Sequence, residues 1–301
     1  MSSRARAVVV AALVSVTLAA CSSASGTPAP SAATPAPTAS PSPSPVVAQL
    51  ILQVTSEGGF IMPSANLNSV PAVSVYADGR ILVPGPTPAI YPGPLVPPII
   101  VRDLGPAGAA AIVAAIRAAG LDHEGPGGGI PGDTGVTIFT VNLDGKPVVT
   151  RFALGGGPGG PGGPGAPGGN GEDPALAAAL DLLTKLSDPT ETWGQPASQE
   201  TPYLPTGYRI FVAPGAPIAD ASVRQVPMAW PLTPGLDAFG APAVPDRGIP
   251  GLRLGVALGA DAAVLAPVFN AATSVTPFTS DGQSYTLYVR PLLPDELTGA
   301  P

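Results

Sequence analysis

The chain is poor in the residues that build metal sites and disulfide frameworks. Its 301 residues include one cysteine and one histidine, 5% aromatic and 11% charged residues, and a net charge of −7. One cysteine excludes a disulfide within the chain, and one cysteine with one histidine excludes a cysteine/histidine metal site. The acidic balance argues against a basic nucleic-acid binder. We therefore expect no metal, no cofactor and no nucleic-acid partner.

Glycine and proline are abundant instead. The chain has 38 glycines and 42 prolines, together more than a quarter of all residues. Such a content is typical of low-complexity segments and long connections.

Residues 1–20 have the pattern of a signal peptide. Arg4 and Arg6 precede an apolar run over residues 7–17, which is too short for a helix of about 20 residues across a membrane. Small residues follow the run directly, as they do before a cleavage site. The segment is predicted to direct export.

The end of this segment, Leu18-Ala19-Ala20-Cys21, resembles the lipobox of bacterial lipoproteins. The resemblance implies cleavage between Ala20 and Cys21, a diacylglyceryl group on the Cys21 thiol and often an acylated amino terminus. More than one acyl chain gives lasting membrane attachment. The expected location is the cell membrane, lipid-anchored and facing outside the cytoplasm. The alternative is an ordinary secretory peptide with an incidental cysteine.

Two low-complexity segments divide the remainder. Residues 22–45 contain only Ser, Ala, Gly, Thr and Pro, so residues 21–45 are predicted to be a disordered, extended spacer behind the lipid. An O-glycosylated stalk is the alternative. Residues 155–171 contain eleven glycines and four prolines with a collagen-like period, which predicts a flexible surface loop because five triplets cannot sustain a triple helix.

Residues 46–301 are predicted to form a globular α+β region, as one domain or two sub-domains. Asp78-Gly79, Asp144-Gly145 and Asp281-Gly282 each lie between alternating apolar residues. Asp-Gly accepts the positive φ angles of a type I′ turn, which predicts three β-hairpins. Further strands are expected over residues 46–56, 208–212 and 252–258.

Three helices are expected on the antiparallel sheet, over residues 106–119, from 174 and over 260–271. Their predicted apolar faces are Ile112 and Ile116 in the first, Leu176, Leu180 and Leu183 in the second, and Val264, Leu265, Val268 and Phe269 in the third. Helical spacing carries each assignment. Pro267 is expected to kink or shorten the third helix.

Two polar motifs fall short of a catalytic pattern. Asp133-Thr134-Gly135 resembles the aspartic-protease signature, but apolar strand residues do not precede it and a second copy is missing; a turn into the following strand is the simpler interpretation. Asp122-His123-Glu124 lies between a helix-ending glycine and a glycine-rich run, which favours a solvated loop. We predict no catalytic residue.

Residues 84–98, PGPTPAIYPGPLVPP, could act in two ways. As polyproline II they would present Tyr91, Pro92 and Pro94 to a partner. Alternatively, the segment lies flat across its own domain and buries Ile90, Tyr91, Leu95 and Val96. The second alternative is favoured because an uncovered apolar ribbon promotes aggregation.

VSVYADGRILVPGP, AIYPGPLVPPIIVRDL and YVRPLLPDE are similar to segments of an uncharacterised family of exported lipoproteins from high-GC bacteria. The resemblance covers most of residues 46–296 and implies no activity. The leading hypothesis is a non-enzymatic, membrane-anchored extracytoplasmic lipoprotein that binds or scaffolds an unknown extracytoplasmic protein or small ligand. The alternatives are a small-ligand carrier with a pocket between sheet and helices, and an envelope or extracellular hydrolase that uses Asp and Glu residues.

Overall fold

The computed structural model describes residues 48–58, 62–124, 135–153, 174–187, 193, 200–218 and 223–297. All of them lie within one compact unit, Pro43–Pro301. The described part contains three α-helices and two mostly antiparallel sheets, so the predicted α+β class is confirmed.

The first sheet has seven strands in the order β6-β5-β1-β2-β3-β4-β7, and all of its pairs are antiparallel. Its strands are β1 Leu50–Gly58, β2 Val73–Tyr76, β3 Arg80–Pro84, β4 Ile99–Asp103, β5 Gly135–Val141, β6 Val148–Ala153 and β7 Thr201–Pro202. Helices α1 Gly105–Ala118 and α2 Pro174–Ser187 contribute to the apolar core of this sheet.

The second sheet has six strands in the order β10-β11-β8-β13-β12-β9. Its strands are β8 Gly207–Pro214, β9 Met228–Ala229, β10 Ala241–Pro242, β11 Arg253–Leu258, β12 Phe278–Ser280 and β13 Gln283–Pro291. Only β9 and β12 pair in parallel. Helix α3 Gly259–Ala271 packs on one face of this sheet through Leu265 and Phe269.

Strand alternation gives each sheet two buried faces. In β3, Ile81 belongs to the core under α1 and α2, whereas the next residue, Leu82, packs with Leu293 from beyond the end of β13. In the second sheet, Ala213 packs with Leu67, which follows β1 in the chain. These two apolar clusters therefore contain residues from both halves of the chain.

The three predicted hairpins are confirmed, but their turns differ. Only Asp281-Gly282 forms a two-residue turn with positive φ at both residues, 51° and 75°. The β2–β3 loop has three residues and the β5–β6 loop six, and in each of them glycine alone has positive φ. Loop length, which the dipeptide does not encode, selects the turn type.

The predicted helices are confirmed, and two of their buried faces differ from the prediction. In α2 the buried residues are Leu176, Ala179, Leu182 and Leu186, whereas Leu180 is 39% exposed. In α3 Val264 is 46% exposed and Ala262 is buried instead. Alanine belongs to both buried faces, and a pattern read from large side chains omits it. Helix α3 also continues for four residues beyond Pro267, so the proline does not shorten it at that point.

Candidate functional site

The Pro-rich segment over residues 84–98 is attached through residues 93–95 to the connection between α3 and β12. Leu95 N donates a hydrogen bond to Ala272 O at 3.2 Å, and Ser274 N donates to Gly93 O at 2.9 Å. Pro94 forms an isolated bridge with Thr273. Leu95, 2% exposed, enters the core under α3. The segment thus covers part of its own domain.

The residues just before this attachment are exposed. Ile90 is 71% and Tyr91 61% exposed, so only two of the four apolar side chains, Leu95 and partly Val96, are buried as the favoured alternative predicted. The chain bends at residues 91 and 92, whereas polyproline II is straight and extended. We name Ile90, Tyr91 and Pro92 the Tyr91 segment. It is an exposed apolar surface directly before the hydrogen-bonded residues 93 and 95.

The predicted lipidation and cleavage residues, Cys21 and Ala20, lie outside the described residues. The same holds for the spacer, the glycine-rich loop, Asp133 and Thr134. Within the part of the chain that the structure describes, no helix has the length and apolar character to span a membrane.

A groove of about 560 Å³ opens at one edge of the second sheet. Its lining comprises Ala229, Trp230, Leu232, Thr233, Gly235, Thr279, Ser280, Asp281 and Gly282. We name it the Trp230 groove. One wall is the loop after β9 and the other is β12 with its hairpin turn. Sequence reasoning identified the turn but had no signal for the facing loop.

Backbone and side-chain hydrogen bonds hold the two walls together. Trp230 N donates to Thr279 O at 2.9 Å, and Leu236 N donates to Ser280 Oγ at 3.2 Å. The indole Nε1 of Trp230 donates to Pro234 O at 3.1 Å. The indole donor is therefore already used. The ring is 8% exposed and packs edge-to-face on Phe239 in the core, so only a small part of its surface borders the groove.

The groove is acidic. Ser280 Oγ donates to Asp281 Oδ2 at 3.0 Å. Burial raises the pKa of Tyr285, and the negative charges of Asp237 and Asp281 raise it further. Among the described residues that line the groove, none is basic. The groove accordingly favours uncharged or cationic groups over anions.

A second polar group of residues joins the two sheets; we name Tyr76, Arg209, Arg290, Asp295 and Glu296 the C-terminal polar cluster. The buried Tyr76 hydroxyl donates to Asp295 Oδ1 at 2.6 Å. Arg290 donates to both Glu296 oxygens, with Nη1 2.7 Å from Oε2, and Arg209 Nη2 lies 3.4 Å from Oε1. The members satisfy one another and leave Tyr76 out of reach of a substrate, which indicates a structural role.

The pKa values of the two adjacent carboxyl groups of this cluster are shifted in opposite directions. Burial raises the pKa of Asp295, although the hydrogen bond from Tyr76 lowers it in part. Burial also acts to raise the pKa of Glu296, but the hydrogen bonds and charge of Arg290 outweigh burial and hold this pKa below its usual range. The direct hydrogen bonds from Arg290 are the main difference between the two groups, and a hydrogen bond from Leu293 N to Glu296 adds to it.

The histidine motif forms a solvated loop, as predicted. His123 Nδ1 lies 3.0 Å from Asp122 Oδ1, the His123 side chain is 72% exposed, and Glu124 is exposed. Across the described ranges, no group of three or more His, Cys, Asp or Glu residues could hold a metal ion.

A small cavity lies between the two helices of the first sheet, and no strand residue is among its described lining residues. The cavity between α1 and α2 has a volume of about 140 Å³ and is lined mainly by alanines, with Asp181, Leu182 and Lys185. It lies below the range of about 300–1,000 Å³ typical of ligand pockets. The Trp230 groove lies within that range.

Comparison of the chain with protein-family models, with curated proteins and with solved structures finds no match.

Proposed function

We propose that this protein is a lipid-anchored extracytoplasmic binding module, held to the membrane through Cys21 and contacting a protein partner through the Tyr91 segment. The lipobox resemblance and the small-residue spacer support the anchor. The observation that carries the binding role is the exposure of Ile90 and Tyr91 beside a hydrogen-bonded attachment.

The Tyr91 segment has the chemistry of an interaction anchor. Tyrosine is enriched among the residues that dominate interface energetics. Burial of a side chain the size of Ile90 stabilises a complex by about 2 kcal/mol. Because residues 93 and 95 are hydrogen-bonded to the connection between α3 and β12, little backbone freedom would be lost on binding.

The partner is expected to offer an apolar surface. Residues 84–98 contain no charged side chain, so the contact would be made by apolar burial and not by ion pairs. The interaction should therefore respond weakly to salt.

The anchor is tested with Cys21→Ser. We expect release of the protein into the medium or accumulation of an unprocessed precursor, because the thiol that receives the lipid is gone. Cell fractionation and intact-mass measurement check both results. Unchanged membrane retention together with an unchanged mass would overturn the anchor.

The binding surface is tested with benzoyl-phenylalanine, a photocrosslinking residue, at position 91 in living cells. The matched control carries it at position 204, where leucine is 82% exposed. We expect one recurrent adduct from position 91, absent from position 204 and lost in the Cys21→Ser background. Identical adducts from both positions, or none from position 91, would argue against this surface.

A further inference from the structure

We infer that the Trp230 groove binds an uncharged saccharide. Three properties lead to this ligand class: the size of the groove, the mixture of apolar and hydroxyl surfaces along it, and the sign of its charge. The inference does not depend on the Tyr91 segment or on the lipid anchor.

The size suits a short oligosaccharide. A volume of about 560 Å³ falls in the middle of the range of known small-molecule sites. The groove is open at its rim, where Thr233 and Asp281 are exposed, so a chain of sugar units could extend beyond it.

The lining has both surfaces that a sugar ring requires. Half-buried Leu232 and the 8% of the Trp230 surface that stays exposed contribute a small apolar area, which suits the C–H groups at one edge of a pyranose. Thr233, Thr279 and Ser280 carry hydroxyl groups. Thr279 Oγ1 and Ser280 Oγ already donate, to Met228 O and Asp281 Oδ2, so towards a ligand these two oxygens act as acceptors, which suits the hydroxyl donors of a sugar.

The charge of the groove excludes acidic ligands. The Asp281 carboxylate is a strong acceptor, which suits sugar hydroxyl donors. Asp237 adds a second negative charge close to Gly235 and Tyr285. An anionic ligand would meet these carboxylates without a basic group among the described lining residues.

Gly235 keeps the centre of the groove open. A Cβ on this residue would lie 2.7 Å from Ser280 Oγ and closer still to Asp281 Oδ2. Both oxygens therefore border the space that a side chain would fill. A substitution at this position would block the acceptors without altering the hairpin sequence.

The experiment uses the fluorescence of Trp230 in the full chain. The chain has two tryptophans, so Trp193→Phe leaves Trp230 as the reporter. The probes are the neutral trisaccharides maltotriose, cellotriose and chitotriose, with trigalacturonate as the anionic comparison and spermidine as the cationic one. We expect a saturable change with at least one neutral trisaccharide and none with trigalacturonate.

Two variants locate the binding. Asp281→Asn retains a residue that accepts positive φ and should weaken binding at least tenfold, and Gly235→Ser should abolish it. Asp144→Asn, in the corresponding turn of the first sheet, is the control and should bind like the parent. Circular dichroism confirms that each variant is folded.

Three outcomes would overturn the inference. The first is no response to any neutral trisaccharide up to about 10 mM, about ten times a millimolar Kd. The second is a response that both groove variants leave unchanged. The third is a response to spermidine alone, which would identify the groove as a site for cations.

Discussion

The two carboxyl groups that follow β13 should have opposite effects on stability when each is neutralised. Glu296→Gln removes the negative charge opposite Arg290, whose side chain is 9% exposed. Breaking a buried ion pair costs about 3–5 kcal/mol, and we expect about 3 kcal/mol because Glu296 keeps 19% of its side-chain surface exposed. For a unit of this size the loss corresponds to a decrease in Tm of about 6–12 °C.

Asp295→Asn should be neutral or stabilising at pH 7. Burial raises the pKa of Asp295, so the folded state favours the uncharged group. Asparagine is uncharged and keeps an oxygen that can accept the Tyr76 hydrogen bond. The two substitutions lie on adjacent residues, and simple loss of local structure would affect both in the same direction.

The pH dependence follows from the same pKa shifts. Because the pKa of Glu296 is lowered on folding, its contribution is present above the unfolded value of about 4.3 and is lost as the pH falls through the folded value. The Tm difference between parent and Glu296→Gln should therefore shrink on acidification. For Asp295, whose pKa is raised, the folded state takes up its proton first, so any advantage of Asp295→Asn should also disappear at acidic pH.

Thermal unfolding by circular dichroism, in the Cys21→Ser background, measures these effects at pH 7 and about pH 3. Asp181→Asn is the control, because the exposed Asp181–Lys185 pair should contribute less than about 0.5 kcal/mol. Equal Tm decreases for Glu296→Gln and Asp181→Asn would refute the ion-pair argument. A large decrease for Asp295→Asn would refute the assignment of opposite signs.

Three further predictions concern the core, a turn and alkaline titration. Phe269→Ala should lower the free energy of unfolding by about 3–5 kcal/mol because the ring is 1% exposed. Val264→Ala on the exposed face of the same helix should lower it by less than about 1 kcal/mol. Urea unfolding measures both. Gly79→Ala should lower the Tm more than Gly145→Ala. Both glycines have positive φ, but only a Cβ at position 79 would collide with the backbone of another residue, Gly105. Burial raises the pKa of Tyr203 to about 12, so Tyr203→Phe should leave the spectrophotometric titration near pH 10 unchanged and remove absorbance at higher pH. Because unfolded tyrosines ionise first, stability should fall as the pH rises above about 10.

Local chemistry determined what the sequence could predict. The Asp-Gly pairs located all three hairpins because a turn depends on the residues within it. The helix from Pro174 was likewise evident, yet its buried face was misassigned at Leu180 since Ala179 fills the position against the sheet. The positions of helices and hairpins follow from the local sequence pattern. Which side of a helix is buried depends on the part of the fold that packs against it.

The candidate sites depend on contacts between distant parts of the chain. Tyr76 and Asp295, which are hydrogen-bonded, lie 219 residues apart in the sequence. In the Trp230 groove, Leu236 of the loop is hydrogen-bonded to Ser280 of the hairpin, 44 residues later. No spacing rule joins such residues. The exposure of Tyr91 was similarly undecided from sequence, because the hydrogen bond from Leu95 N to Ala272 O determines which part of the Pro-rich segment is buried.

The two proposed surfaces share one structural element, the connection over residues 272–277 between α3 and β12. Its first residues hold the Pro-rich segment through Ala272 and Ser274, and its end leads into the strand that carries Thr279 in the groove. A hydrogen bond from Thr273 N to Thr276 Oγ1 at 2.8 Å fixes the connection internally. Damage to it would impair both surfaces together. A variant of the Tyr91 segment that leaves saccharide binding intact, and a groove variant that leaves crosslinking intact, therefore separate loss of contact from loss of local structure.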